Sequence, residues 1–86
     1  MKPLAVKPLV TLYTRAGCCL CDDAKRVLLQ ARRRADFDYQ EFDIDRDPAL
    51  QRLYNDEVPV IVINSVKAFK YKVDIEEFLK KLAARA

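Results

Sequence analysis

The sequence predicts an α/β domain of order β-α-β-α-β-β-α, a four-stranded mixed sheet with helices on both faces. Three observations carry this. Apolar residues recur at spacings of three and four over 20–31 and 75–82, the period of an amphipathic helix. Between and around them lie short β-branched or alternating runs bounded by turn residues. The first half alternates strand, helix, strand, a βαβ unit whose strands run parallel with a right-handed crossover. The length, 86 residues, suits one domain with one modest core. The domain is therefore expected to span 1–86, with 1–8, carrying Pro3 and Pro8, as a loose lead-in.

Leu9–Tyr13 is β-branched and apolar, a buried strand, and Thr14-Arg15-Ala16-Gly17 interrupts it. In the helix that follows, Leu20, Ala24, Val27, Leu28 and Ala31 share one face. Asp22 and Asp23 are expected in its first turn and Arg32, Arg33 and Arg34 in its last, where they complement the helix dipole. Phe37–Phe42 alternates as a second strand. Asp47-Pro48 opens a short helix, Asp as N-cap and Pro at the first helical position, with Leu50, Leu53 and Tyr54 facing inward. Val58–Ile63 is almost continuously apolar, as in a strand covered on both sides, with Pro59 at its start because proline donates nothing to the ladder. Asn64-Ser65 is a two-residue hairpin turn and Val66–Lys70 the returning strand. The last helix starts at Asp74, with Glu77 at capping-box spacing and Ile75, Phe78, Leu79 and Leu82 as its apolar stripe.

Composition excludes several functions. Hydrophobic residues are 51% and charged residues 34%, which is globular rather than disordered. No apolar run approaches the ~18–20 residues of a membrane span, and none of signal-peptide length opens the chain, so neither a membrane partner nor export is expected. A net charge of +3, from 16 basic and 13 acidic residues, is too mild for a dedicated nucleic-acid binder. With no histidine, His catalysis and mixed His/Cys zinc sites are excluded within one chain, and a single glycine excludes a Gly-rich phosphate loop. Asp43, Asp45 and Asp47 alternate but lack the glycine and distal glutamate of a calcium loop, so they read as caps and turn residues.

The most informative residues are Cys18, Cys19 and Cys21, the only cysteines. Clustered within four positions, they cannot staple distant loops, and they point to chemistry in a reducing compartment, the cytoplasm. Cys18 and Cys21 form C-x-x-C where a strand passes into a helix. The first turn of a helix has unpaired N–H groups and partial positive charge, which stabilise a thiolate. Cys18, at the helix edge, suits attack on a disulfide, and Cys21, one turn inward, suits resolution of the mixed disulfide. Arg15 stands three residues before Cys18 as an auxiliary cation. Cys19 is either a bystander or an auxiliary thiol.

The segment Tyr13-Thr14-Arg15-Ala16-Gly17-Cys18-Cys19-Leu20-Cys21-Asp22 resembles the active-site segment of glutaredoxin-like proteins of the thioredoxin superfamily, closest to the small bacterial group reading Tyr-Thr-(Arg)-x-Gly-Cys-x-Leu-Cys. Val58-Pro59 is similar to the Val-Pro before the third strand of that superfamily. The resemblance, which spans about Leu9 to Leu82, implies a thioredoxin-like fold of glutaredoxin type and a thiol–disulfide oxidoreductase. It implies Cys18 as nucleophile, Cys21 as resolving thiol, and a cis Pro59 that leaves the Val58 backbone free to pair with substrate. Arg15 takes the place of a lysine that assists thiolate formation and glutathione binding. The implied partners are a disulfide-containing protein or a glutathione-mixed disulfide, with glutathione or a reductase as electron source. No tightly bound cofactor and no metal ligand are expected, glutathione serving at most as co-substrate, and the chain is expected to act as a monomer.

The pattern departs from that family twice. Tyr71-Lys72 stand where a Gly-Gly pair would hold glutathione, and side chains there crowd a close backbone approach. Cys19 replaces a proline, so Cys21 has two neighbouring thiols as disulfide partners. The residues leave two other functions open. One is a metal or iron–sulfur module, which needs a second chain or glutathione to complete four ligands. The other is a redox-inert docking domain.

Overall fold

The computed structural model describes residues 7–55 and 57–85, without the side chain of Arg85. Its elements are β1 (Leu9–Thr14), α1 (Cys19–Ala31), β2 (Asp38–Asp43), a single 3-10 turn (Ile44–Arg46), α2 (Pro48–Tyr54), β3 (Val60–Ile63), β4 (Val66–Lys70) and α3 (Ile75–Arg85). The sheet order is β2-β1-β3-β4. β1 is parallel to β2 and antiparallel to β3, and β3 is antiparallel to β4. This is the mixed thioredoxin-like sheet that the sequence predicts.

The two faces follow from strand alternation. Val10 and Leu12 of β1 face the same way as their partners Ile63 and Ile61 of β3. They pack with Ala24, Leu28 and Ala31 of α1 and with Phe78 and Leu82 of α3. On the other face Tyr13 stacks on Tyr54 of α2, ring centroids 4.7 Å apart. α1 and α3 therefore cover one face and α2 the other. β3 is buried at every position, as its unbroken apolar run requires. A smaller cluster closes the end of the sheet: Cys21, Ile44 and Val58, with Tyr13, Cys18, Leu50 and Tyr54 against it.

The local chemistry is largely as expected. Asn64 and Ser65 both have positive φ, 49° and 71°, the pairing a tight I′ hairpin requires. Asp47 caps α2 by accepting from Ala49 N–H at 2.9 Å, and Asp74 accepts from Glu77 N–H at 3.1 Å. Asp43 caps the 3-10 turn by accepting from Asp45 N–H at 2.9 Å.

Four details differ. α1 ends at Ala31, so Arg32, Arg33 and Arg34 lie in the turn after it, where their N–H groups satisfy the last helical carbonyls. Asp22 is in the first turn of α1, but Asp23 lies just past it and pairs with Arg26 at 3.1 Å. Leu53 faces outward, 63% exposed, because a seven-residue helix presents only Leu50 and Tyr54 to the sheet. The 3-10 turn has no signature in the sequence, since a single turn leaves no periodicity to read. Of the expected lead-in, residues 1–6 lie outside the described residues. Pro8 is buried, and its carbonyl accepts from Asp38 N–H at 2.9 Å.

Candidate active site

β1 delivers the chain at Thr14 to a short loop, and Gly17 turns it with φ +75°, a left-handed conformation that glycine adopts without strain. Cys18 then sits as the N-cap of α1 in extended backbone (φ −98°, ψ 110°). Its Sγ accepts from Cys21 N–H at 3.2 Å, filling the place usually taken by a serine, threonine or aspartate oxygen. Its carbonyl accepts from Asp22 N–H, also at 3.2 Å. The local sequence thus presents Cys18 Sγ to the unpaired amides at the positive end of α1.

Cys21 is 2% exposed and packs with Ile44 and Val58. Burial pushes its thiol up to about 11, and a hydrogen bond to Cys18 adds to the shift. The Thr14 hydroxyl and the Arg15 backbone N–H, both hydrogen-bonded to Cys21, act in the opposite direction. The two sulfurs are therefore unequal: Cys18 accepts hydrogen bonds at the helix end, whereas Cys21 holds its proton one turn behind. Cys18 is half-buried, Cys19 is exposed, and all three cysteines are free thiols.

The β1–β3 ladder ends at the pair Tyr13–Val60, so Val58 and Pro59 run on beyond it toward the cysteines. The Val58–Pro59 bond is cis, and Val58 shares the cluster that holds Cys18 and Cys21. Tyr71 N–H donates to the Pro59 carbonyl at 2.9 Å. This ties the β4–α3 connection to the site. Tyr71, Lys72 and Val73 face Leu20, Ala24 and Val27 across a groove of about 280 Å³.

Arg15 donates a fork of hydrogen bonds to the Asp45 carboxylate, 2.9–3.1 Å, and one to the Asn55 carbonyl at 3.1 Å. Its guanidinium holds Asp45 below the usual carboxylate range. Arg15 thereby fastens the cysteine loop to the 3-10 turn and to the end of α2. Sequence reasoning did not identify Thr14, Asp45 or Asn55 in these roles. For Thr14 a clue was present, because alternation with Val10 and Leu12 puts it on the α1 face. The other two depend on where α2 docks.

Among the described residues, no group of three or more cysteine, aspartate or glutamate side chains is gathered to hold a metal ion. No described helix is long and apolar enough to cross a membrane. A dithiol divided between an amide-bound sulfur at a helix N-terminus and a buried, proton-holding one is equipped for disulfide exchange. The chain carries a thiol–disulfide oxidoreductase active site.

Known proteins are similar in fold and sequence. The structure of XcR50 from X. campestris is 35% identical, with a TM-score of 0.73 over 87% of this chain and 96% of that one. Ne2328 from Nitrosomonas europaea is 26% identical, with a TM-score of 0.78 over 94% and 98%. An uncharacterized protein of Mycobacterium tuberculosis, Rv0508, is 29% identical over 73 residues, which cover 79% of this chain and 75% of its own. The model of the family described as Glutaredoxin-like domain (DUF836) matches residues 9–83. By fold, by cysteine segment and by this match, the chain belongs to the glutaredoxin-like domain family.

Proposed function

We propose that this protein reduces disulfides, in polypeptides or in glutathione-mixed disulfides, with Cys18 as nucleophile and Cys21 as resolving thiol. The observation that carries the reading is the asymmetry of the two sulfurs: Cys18 Sγ accepts Cys21 N–H while Cys21 is buried with its proton held. The Cys18 thiolate attacks a substrate disulfide R–S–S–R′, forms a Cys18–S–R bond and releases R′–S⁻. Cys21 then gives up its proton and bonds to Cys18 Sγ, releasing R–S⁻ and leaving a Cys18–Cys21 disulfide. Two electrons pass from the dithiol to the substrate, and two external thiol equivalents restore it.

Val58, held beyond the end of the ladder by Pro59, offers its backbone to align an extended substrate beside Cys18. Arg15 is auxiliary, fixing the loop that presents Cys18, and Cys19 is an exposed auxiliary thiol. The sulfurs carry the electrons, so no bound cofactor takes part. Tyr71 and Lys72 beside the groove favour a polypeptide substrate, with glutathione or a flavoprotein reductase supplying electrons. We place this activity in the cytoplasm, in a single chain.

Mass mapping of trapped thiols tests the reading. After equilibration with glutathione buffers or a thioredoxin reductase system, a reversible Cys18–Cys21 disulfide is expected. Cys21→Ser should accumulate a mixed disulfide on Cys18, and Cys18→Ser should abolish turnover. A wild-type protein that forms no reversible disulfide overturns the proposal.

A further inference from the structure

Resolution of the mixed disulfide requires somewhere to put a proton. Cys21 is 2% exposed, and its thiol must release that proton as its sulfur bonds to Cys18. A pocket of about 220 Å³, large enough for several waters, opens against Cys21 from the β2 side. The polar and charged groups around it are Thr14 and Arg15 at the end of β1, Asp22 and Lys25 of α1, and Glu41 and Asp43 of β2. The helix N-terminus adds Cys18.

Three carboxylates line this pocket, and they are not equivalent. Glu41 is engaged through both oxygens, by Lys25 at 3.2 Å and by the Tyr39 hydroxyl at 3.0 Å. Asp22 is exposed on the outer surface of α1. Asp43 is half-buried and is the register partner of Thr14 on the adjacent parallel strand, so both side chains leave the sheet on the α1 face. Thr14 is the residue whose hydroxyl hydrogen-bonds Cys21. One Asp43 oxygen accepts from Asp45 N–H, and the other has no hydrogen-bond partner among the described residues.

We infer that Asp43 accepts the Cys21 proton during resolution, relayed by the Thr14 hydroxyl and water in the pocket. The inference rests on the dithiol reading above. The step balances: the Cys21 S–H proton passes to Asp43, Cys21 Sγ bonds to Cys18 Sγ, and the R–S bond breaks with its electron pair leaving as R–S⁻. Asp43 then returns its proton to solvent. At neutral pH this acceptor matters because the Cys21 thiol is far from ionising unaided.

The test uses an aromatic disulfide that releases a coloured thiolate, mixed rapidly with reduced protein. Every protein carries Cys19→Ser, so that two thiols report. The first equivalent of colour marks attack by Cys18 and the second marks resolution by Cys21. Asp43→Asn keeps an oxygen for Asp45 N–H, so the 3-10 turn stays capped. It should leave the first phase unchanged and slow the second at least about 10-fold at pH 7, the lower end of general-base effects. The deficit should close at alkaline pH, where the buried Cys21 thiol ionises without help. Thr14→Val should show the same pH-dependent loss. A second phase unaffected by Asp43→Asn overturns the inference, as does a deficit equal at every pH or one that follows Glu41→Gln instead. Absence of the first phase in the parent protein overturns the dithiol reading, and this inference with it.

Discussion

The buried Cys21 thiol makes stability depend on alkaline pH. An unfolded cysteine ionises near pH 8.5–9, whereas folded Cys21 keeps its proton to about 11. Between those values the folded state binds more protons than the unfolded one, so stability falls as pH rises. Tyr13 and Tyr39 are also raised by burial, but an unfolded tyrosine ionises only near pH 10. The reduced protein should therefore hold its Tm to about pH 8.5 and lose it progressively above. Cys21→Ala should move that onset up by about one pH unit, toward the tyrosine limb, read by melting curves in the presence of reductant. An unchanged onset would mean that Cys21 is not desolvated. Tyr71 is a second residue whose environment decides its role. It sits at φ +69°, a conformation costing an L side chain about 1–2 kcal/mol. Tyr71→Gly and Tyr71→Ala both remove the ring, but only glycine relieves the backbone. The glycine variant should be the more stable of the two by about 1 kcal/mol in denaturant titrations.

Among the elements, α2 depends most on its cap. It has seven residues and buries none of them fully, and a helix this short gains little from propagation. Asp47→Ala should cost about 0.5–2 kcal/mol and loosen the site, because the end of α2 supplies the Asn55 carbonyl to Arg15. The expected readout is a lower Tm with faster alkylation of the cysteines. This element also marks how far the sequence could be read. Its cap was plain in Asp47-Pro48, as were the hairpin in Asn64-Ser65 and the stripe of α3, because each is set by local chemistry. β3 was legible because burial on both faces leaves no polar position. The orientation of Leu53 was not, since two turns give too few positions to choose a face. The dithiol was legible from Cys18 and Cys21 in a strand–loop–helix context. The Arg15–Asp45–Asn55 fastening and the carboxylate opposite Thr14 were not, because Arg15 and Thr14 meet residues 29–40 positions away, through sheet register and the docking of α2.

At the scale of the whole molecule, stability and reactivity are assigned to different clusters. The larger core lies between α1, α3 and the middle of the sheet, and the smaller one closes the end of the sheet around Cys21. Leu28 and Ile44 are both fully buried, Leu28 in the larger cluster and Ile44 in the smaller. Truncating either to alanine should cost about 2–5 kcal/mol, a large part of the roughly 5–15 kcal/mol a domain of this kind commands. Their chemical effects should differ. Leu28→Ala removes packing about two to three turns from the cysteines and leaves the desolvation of Cys21 intact. At a temperature where the variant is folded, the alkylation rate of Cys21 should match that of the parent. Ile44→Ala opens space directly against Cys21, admits water, and weakens the burial that keeps its proton in place. Cys21 should then alkylate faster at pH 8, and the alkaline loss of stability should shrink, since folded and unfolded thiols would ionise closer together. Equal Cys21 reactivity in the two variants at matched folded fraction would show that the small cluster does not control the Cys21 thiol.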